Sequence, residues 1–186
     1  IKDRNSGAKG HGLFDTERGG DYKLQSQSTN AQFFSTNQVT AFNANGFSLG
    51  STGDQNGSGT TYASWSWRKS PKFFDVVTYT GNSTAGREIA HSLGSVPGCV
   101  IIKRTSNADN WAVLHKDANF LQLDTTAAQF SNAVTAGRFG DGTTTIRPTS
   151  TVFTLGAAGE VNFSGYTYVA YLFAHDAGGF GDDGEQ

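Results

Sequence analysis

The chain has 186 residues, 16% of them charged, a formal net charge of −2, 24 Gly, 3 Pro and a single Cys. No apolar run reaches the ~18–20 residues of a membrane-spanning helix, and no basic stripe exists to neutralise a phosphate backbone, so neither membrane insertion nor nucleic-acid binding is expected. One cysteine makes neither an internal disulfide nor a thiolate metal cluster, and no cofactor is implied. Apolar content is low at 36%, but 14 Phe, 6 Tyr and 3 Trp supply large apolar area per residue. Gly, Ser, Thr and Asn are abundant, which argues against a helical bundle.

In chain order, Ile1-Lys-Asp-Arg4 reads as strand. Residues 47–67 and 153–173 then repeat one another at a constant offset of 106, with nine of 21 positions identical, among them Gly50/Gly156, Gly53/Gly159 and Gly59/Gly165. The shared glycines punctuate both stretches alike and predict matching strand–turn–strand units. Weaker echoes pair Ile1-Lys2 with Ile102-Lys103, Leu13-Phe14 with Val113-Leu114, and 29–33 with 126–130. Residues 73–100 have no counterpart. Asp75–Thr80 alternates and is β-branched, which predicts a strand. Gly81–Gly86 reads as a turn and Arg87–His91 as a short partner strand. Cys99–Arg104 reads as a buried strand pairing with Asn110–His115. Further strands are expected at 120–123, 152–155 and 167–173.

Many short strands at close spacing predict an all-β fold, a β-sandwich or jelly-roll built from two duplicated units. The expected organisation is a first unit at 1–72, a second at 73–176 and a Gly-rich acidic linker at 177–186. An opening at Ile1 and a linker-like ending suggest a segment of a longer polypeptide. Phe47, Tyr62, Trp67, Phe153, Tyr168 and Phe173 are expected in the core. Trp65 and Trp67, two apart on one strand face, match Tyr171 and Phe173 and are read as core packing.

Phe74-Asp-Val-Val-Thr-Tyr-Thr-Gly81, Ile89-Ala-His-Ser-Leu-Gly94, Pro97-Gly98 and Val100-Ile-Ile-Lys-Arg104 resemble a repeat of marine and cyanobacterial bacteriophage virion proteins. Leu13-Phe-Asp-Thr-Glu-Arg-Gly19, Tyr168-Val-Ala-Tyr-Leu-Phe-Ala174 and the ending 175–181 are similar to the same family. The resemblance implies a concanavalin-like β-sandwich in a tail-fibre-like surface protein of the particle. It implies no catalytic residues. Two departures are Ser92, where the family has Gly, and 131–148, which look like a local insertion.

Reactive constellations are weak. Ala90-His-Ser-Leu-Gly94 has the outline of a nucleophile elbow, but that motif needs a helix after the serine, and Pro97 and a strand follow instead. Gly178-Gly-Phe-Gly-Asp-Asp183 matches one unit of a calcium-binding repeat that works in tandem copies. Asp54 and Glu160 are equivalent carboxylates in polar turns, a weak glycosidase pair. His11, His91, His115 and His175 lack metal-ligand spacing, and Cys99 reads as inert core. Trp111, beside Asp109 and Asn110, is the candidate glycan site, because an indole face stacks on a sugar ring while neighbouring amide and carboxylate groups bond its hydroxyls.

The expected function is therefore a non-enzymatic virion structural protein, a tail-fibre, spike or surface-appendage segment in host attachment, located on the extracellular particle. The alternatives are a lectin-like carbohydrate-binding module, a capsid-decorating protein or, less favoured, a polysaccharide depolymerase. Expected partners are other virion proteins, host surface glycan and further copies of the chain. A homotrimer is the family-level expectation. Val100–Ile102 and Tyr168–Phe173, apolar on both faces, are compatible with it, because one sandwich covers only one face.

Overall fold

The computed structural model describes residues 1–5, 9–51 and 53–175. The fold is all-β, with three helices of a single turn or little more among the described residues. The amino-terminal part carries β1 (Lys2–Asp3), β2 (Gly12–Asp15), β3 (Gly19–Gln25), β4 (Phe33–Phe34), β5 (Val39–Asn43), β6 (Gly46–Leu49), α1 (Gly53–Asn56) and β7 (Tyr62–Ala63). The remainder carries β8 (Phe74–Thr80), β9 (Arg87–Ala90), β10 (Pro97–Arg104), β11 (Ala112–His115), β12 (Leu121–Gln122), α2 (Asn132–Ala136), β13 (Val152–Leu155), α3 (Gly159–Asn162) and β14 (Thr167–Ala174).

An antiparallel sheet in the order β12-β11-β10-β14-β8 organises the molecule. Within it β14 lies between β10 and β8, pairing with β10 from Tyr168↔Arg104 to Ala174↔Pro97 and with β8 from Thr167↔Thr80 to Phe173↔Phe74. Side chains alternate between the faces of a strand, and here each face meets a different core. Tyr168, Ala170 and Leu172 join Val100, Ile102, Ala112 and Leu114 on one face. The β9–β13 pair covers them through Ile89, Phe153 and Leu155. Val169 and Tyr171 point the other way, into a cluster with Phe74, Val76 and Trp111 that Leu24 of β3 closes and Leu13 of β2 flanks. The apolar second face of Val100–Ile102 and Tyr168–Phe173 is thus covered within the chain, by β2 and β3.

Several expectations need correction. Arg87–Ala90 pairs with Val152–Leu155, not with the neighbouring strand 74–80, which pairs with β14; Ile89 of this pair packs with Phe153 and Leu155 over the main core. Residues 131–148, read as a local insertion relative to the family, are packed into the fold: Ser131 caps α2 by accepting from the backbone N–H of Val134, and Phe139 is fully buried in the main core. The segments between the repeated strands contain a helical turn rather than a simple turn. Of the rings expected in the core, Phe153 and Tyr168 are fully buried, while Phe47, Tyr62 and Phe173 are half-buried. Trp65 and Trp67 are 62% and 53% exposed, against 8% for Tyr171. The difference lies in the neighbours: β14 is flanked on both sides, whereas strand structure after Tyr62 lasts only two residues.

The two parts nevertheless make the same bonds at matching positions. Tyr62 Oη accepts from Gly57 N at 2.8 Å, and Tyr168 Oη from Phe163 N at 2.8 Å. Asn56 Nδ2 donates to Gly50 O, and Asn162 Nδ2 to Gly156 O, both at 2.9 Å. Lys2 pairs with Ala63 as Lys103 pairs with Val169. Gly12 and Leu13 face Gln25 and Leu24 as Ala112 and Val113 face Gln122 and Leu121. Gly59 and Gly165 take positive φ values of 73° and 80°, where a side chain would be strained.

This packing predicts unequal costs at matching positions. Phe153→Ala should cost about 3–5 kcal/mol, the range for emptying a buried Phe site, and Phe47→Ala less than half as much. Denaturant unfolding of both variants measures it.

Candidate functional site

The residues of the expected glycan site do come together, but they turn inward. Trp111 immediately precedes β11 and is 0% exposed. Its indole Nε1–H donates to Gln25 O and Ser28 O, each at 3.1 Å, and its ring stacks on Tyr171 with centroids 6.4 Å apart. A ring with no exposed face cannot stack on a sugar, so Trp111 is corrected from ligand platform to core. Asp109 is ion-paired with Arg104, and its backbone N–H donates to Thr29 O at 2.8 Å. Asn110 Nδ2 donates to Asp124 Oδ2 at 3.3 Å, and Asp124 Oδ1 accepts from Trp111 N at 3.0 Å. These polar groups bind the protein to itself.

They belong to a junction between β10–β11–β14 and residues 15–32 of the amino-terminal part, which include β3. At one end sits Lys103, fully buried at the same side of the sheet as Ile101. Its ammonium donates to Thr29 O (3.1 Å), Arg104 O (3.0 Å) and Asp109 O (3.0 Å), which satisfies all three of its N–H groups. Burial lowers its pKa to about 8, with the carboxylate of Asp124 opposing the shift. At the other end, Tyr171 Oη donates to Asp15 Oδ2 at 2.8 Å and accepts from Arg18 at 3.2 Å. Arg18 Nε also donates to Asp15 Oδ2 at 2.7 Å, and both side chains are almost wholly buried. Burial holds the Tyr171 hydroxyl well above its ordinary pKa, so it stays protonated and keeps its donor role. Gln32 N bonds Thr105 O at 2.9 Å between these ends.

Over the junction lies an open groove of about 370 Å³, lined by Glu17, Arg18, Gln32, Thr78, Thr80 and Thr167 among others. It has hydroxyl, amide and guanidinium groups, but its cation is already committed to Asp15.

The other motifs do not assemble chemistry. Asp54 bonds Lys23 at 2.6 Å and Lys9 at 3.0 Å, which lowers its pKa and keeps it ionised. Glu160 is ion-paired with Arg138 at 2.5 Å. Ser92 leaves β9 in a turn that leads to β10, with its backbone N–H donating to Asp75 Oδ2 at 2.7 Å, so the helix of a nucleophile elbow is missing. Cys99 is half-buried in β10, and burial raises its thiol pKa. No group of three or more His, Cys, Asp or Glu side chains placed to hold a metal exists among the described residues. Gly178–Asp183 and the 177–186 linker lie outside the described residues.

Sequence reasoning missed Lys103, Asp15, Arg18 and Tyr171 as a set. One signal was available: a lysine inside the buried run Val100-Ile-Ile-Lys103 must find acceptors or remain unpaired.

Fold and junction define an all-β protein whose central sheet is buried on both faces, one of them sealed by polar anchors. A family model described as a domain of unknown function (DUF7483) matches residues 1–184, and the chain belongs to that family. No curated protein and no solved structure matches it.

The buried ammonium gives a pH signature. Between pH 8 and 10.5 the unfolded chain keeps Lys103 protonated while the folded chain releases the proton, so stability contributed by this residue rises with pH. Wild type should therefore gain stability relative to Lys103→Met from pH 8 to 10, measured by urea unfolding at each pH.

Proposed function

We propose that this chain is a non-catalytic structural module of a bacteriophage virion, part of a tail fibre, spike or other surface appendage that serves host attachment. The observation that carries the reading is the junction. Its charged and aromatic side chains, Asp15, Arg18, Lys103, Trp111 and Tyr171, are spent on locking two parts of the chain together. A particle component needs that rigidity more than a reactive cleft. The resemblance of Phe74–Arg104 and Tyr168–Ala174 to phage virion repeats supplies the particle, and a low-charge surface rich in Ser, Thr and Asn suits life outside a cell. Under this reading, self-association such as a homotrimer uses exposed rings, among them Phe33 and Phe34 at 57% and 56% exposure, because β2 and β3 already cover the sheet's second face.

The groove favours carbohydrate recognition as a second reading, since hydroxyl and amide groups line it in place of an apolar pocket. One experiment addresses both. An antibody raised against the chain should label the appendages of purified particles and block their adsorption to host cells. Absence of the chain from purified particles by mass spectrometry would contradict the virion role. If the groove binds glycan, Thr78→Arg should abolish binding to host-surface polysaccharide at unchanged Tm.

A further inference from the structure

Residues 56–60 reproduce a docking surface that is filled at the matching place in the second part of the chain. There, Gly81–Thr84, the loop that ends β8, is fastened to 162–166 by six bonds, one of them from Ser164 N to Ser83 Oγ at 2.9 Å. Gly81 N donates to Tyr166 O at 2.8 Å, and Gly165 N to Gly81 O at 3.1 Å. Ser83 N donates to Asn162 O at 2.7 Å, and Asn82 N to Asn162 Oδ1 at 3.0 Å. Asn162 Nδ2 also donates to Thr84 O at 2.9 Å. With this loop in place, β8 lies along the whole edge of β14, and Asn162 is fully buried.

The counterparts of these groups are Asn56, Gly59 and Thr60, and their geometry is already set. The helical turn, the positive φ of Gly59, the tyrosine hydroxyl bond and the Asn–Gly bond are all matched, as is Thr60 N donating to Gly57 O at 3.2 Å, like Tyr166 N to Phe163 O. Even the flanking contacts agree. Arg4 N donates to Thr61 O as Thr105 N donates to Thr167 O, and Thr61 N to Asn5 Oδ1 as Thr167 N to Ser106 Oγ. Yet Asn56 and Gly59 are exposed, and Trp65 and Trp67 stand largely in solvent on the stretch that corresponds to the middle of β14. Residues 73–101, which supply β8, β9 and half of β10, are the part with no counterpart.

We propose that 1–69 is an incomplete copy of the 73–175 unit, and that the surface formed by Asn56, Gly59 and Thr60, with the exposed Trp65 and Trp67 beyond it, accepts a polypeptide segment equivalent to 73–101. In the second unit this segment stands directly ahead of the half of β10 that matches β1. The occupant is accordingly a stretch of the same polypeptide joined ahead of β1, ending its first strand in a loop like Gly81-Asn-Ser-Thr84. Strand addition of this kind joins successive units through main-chain bonds along an array.

The test is a chain carrying a second copy of residues 73–101 fused to Ile1. Trp111 is buried already, so acrylamide quenching of tryptophan emission reports on Trp65 and Trp67. The proposal expects quenching to fall, emission to move to shorter wavelength, the added segment to resist protease and Tm to rise by several degrees. Asn56→Ala should lower the Tm of the extended chain by more than it lowers that of the unextended chain, where the loss is that of the bond to Gly50 O. An added segment that stays protease-sensitive, with quenching and Tm unaltered, would overturn the proposal. So would concentration-dependent dimerisation of the unextended chain that protects the same two tryptophans, since a second copy would then be the occupant.

Discussion

The structure turns on a positive charge in the wrong place. Lys103 stands in a strand whose neighbours are Val100, Ile101 and Ile102, and its side chain is sealed from water. A buried ammonium is costly unless every N–H finds an acceptor. The three acceptors come from two regions: Thr29 O from the amino-terminal part, Arg104 O and Asp109 O from the end of β10 and the loop after it. The charge is satisfied only when both regions are in position. Thr29 O is doubly used, since Asp109 N bonds it too. Trp111 and Tyr171 extend the same logic, one capping the turn 25–28 and the other closing the Asp15–Arg18 pair.

This constraint explains the two-sided sheet. A strand with one wet face alternates apolar and polar residues, whereas β14 runs Tyr168-Val-Ala-Tyr-Leu-Phe173 without a charge. The β9–β13 pair fills one side, and Leu13 and Leu24 meet the other. Apolar burial gives this second contact its area, and the polar anchors at its ends fix its register. The same residues that would make a sugar site on an open surface, an indole beside Asp and Asn, here act as fasteners because β3 lies across them.

Much of this was legible in the sequence, and the rest was missing for physical reasons. The strands at 74–80, 97–104 and 167–174 declare themselves through β-branched and aromatic runs, and the pairing of Cys99–Arg104 with the strand after Asn110 follows from their proximity. The partner of Arg87–Ala90 did not follow, because a strand 65 residues away competes on equal local terms with a neighbour. The burial of Trp111 depends on Gln25 and Ser28, which nothing near it in sequence reveals. Trp65 and Trp67 misled in the opposite direction: likeness to Tyr171 and Phe173 carried over residue type and bonding pattern, but burial belongs to the neighbouring strands and does not travel with the repeat.

The central claim is that the junction makes the three-stranded sheet β2-β3-β4 and the five-stranded sheet one cooperative body. Native-state hydrogen exchange on the intact chain tests it most directly. The account predicts that the amides of Leu24 in β3 and Val169 in β14 open together, with the same free energy and the same dependence on denaturant. If the β2–β3 amides exchanged through a separate, much less costly opening while β14 stayed protected, the junction would be a surface contact and the account would be contradicted.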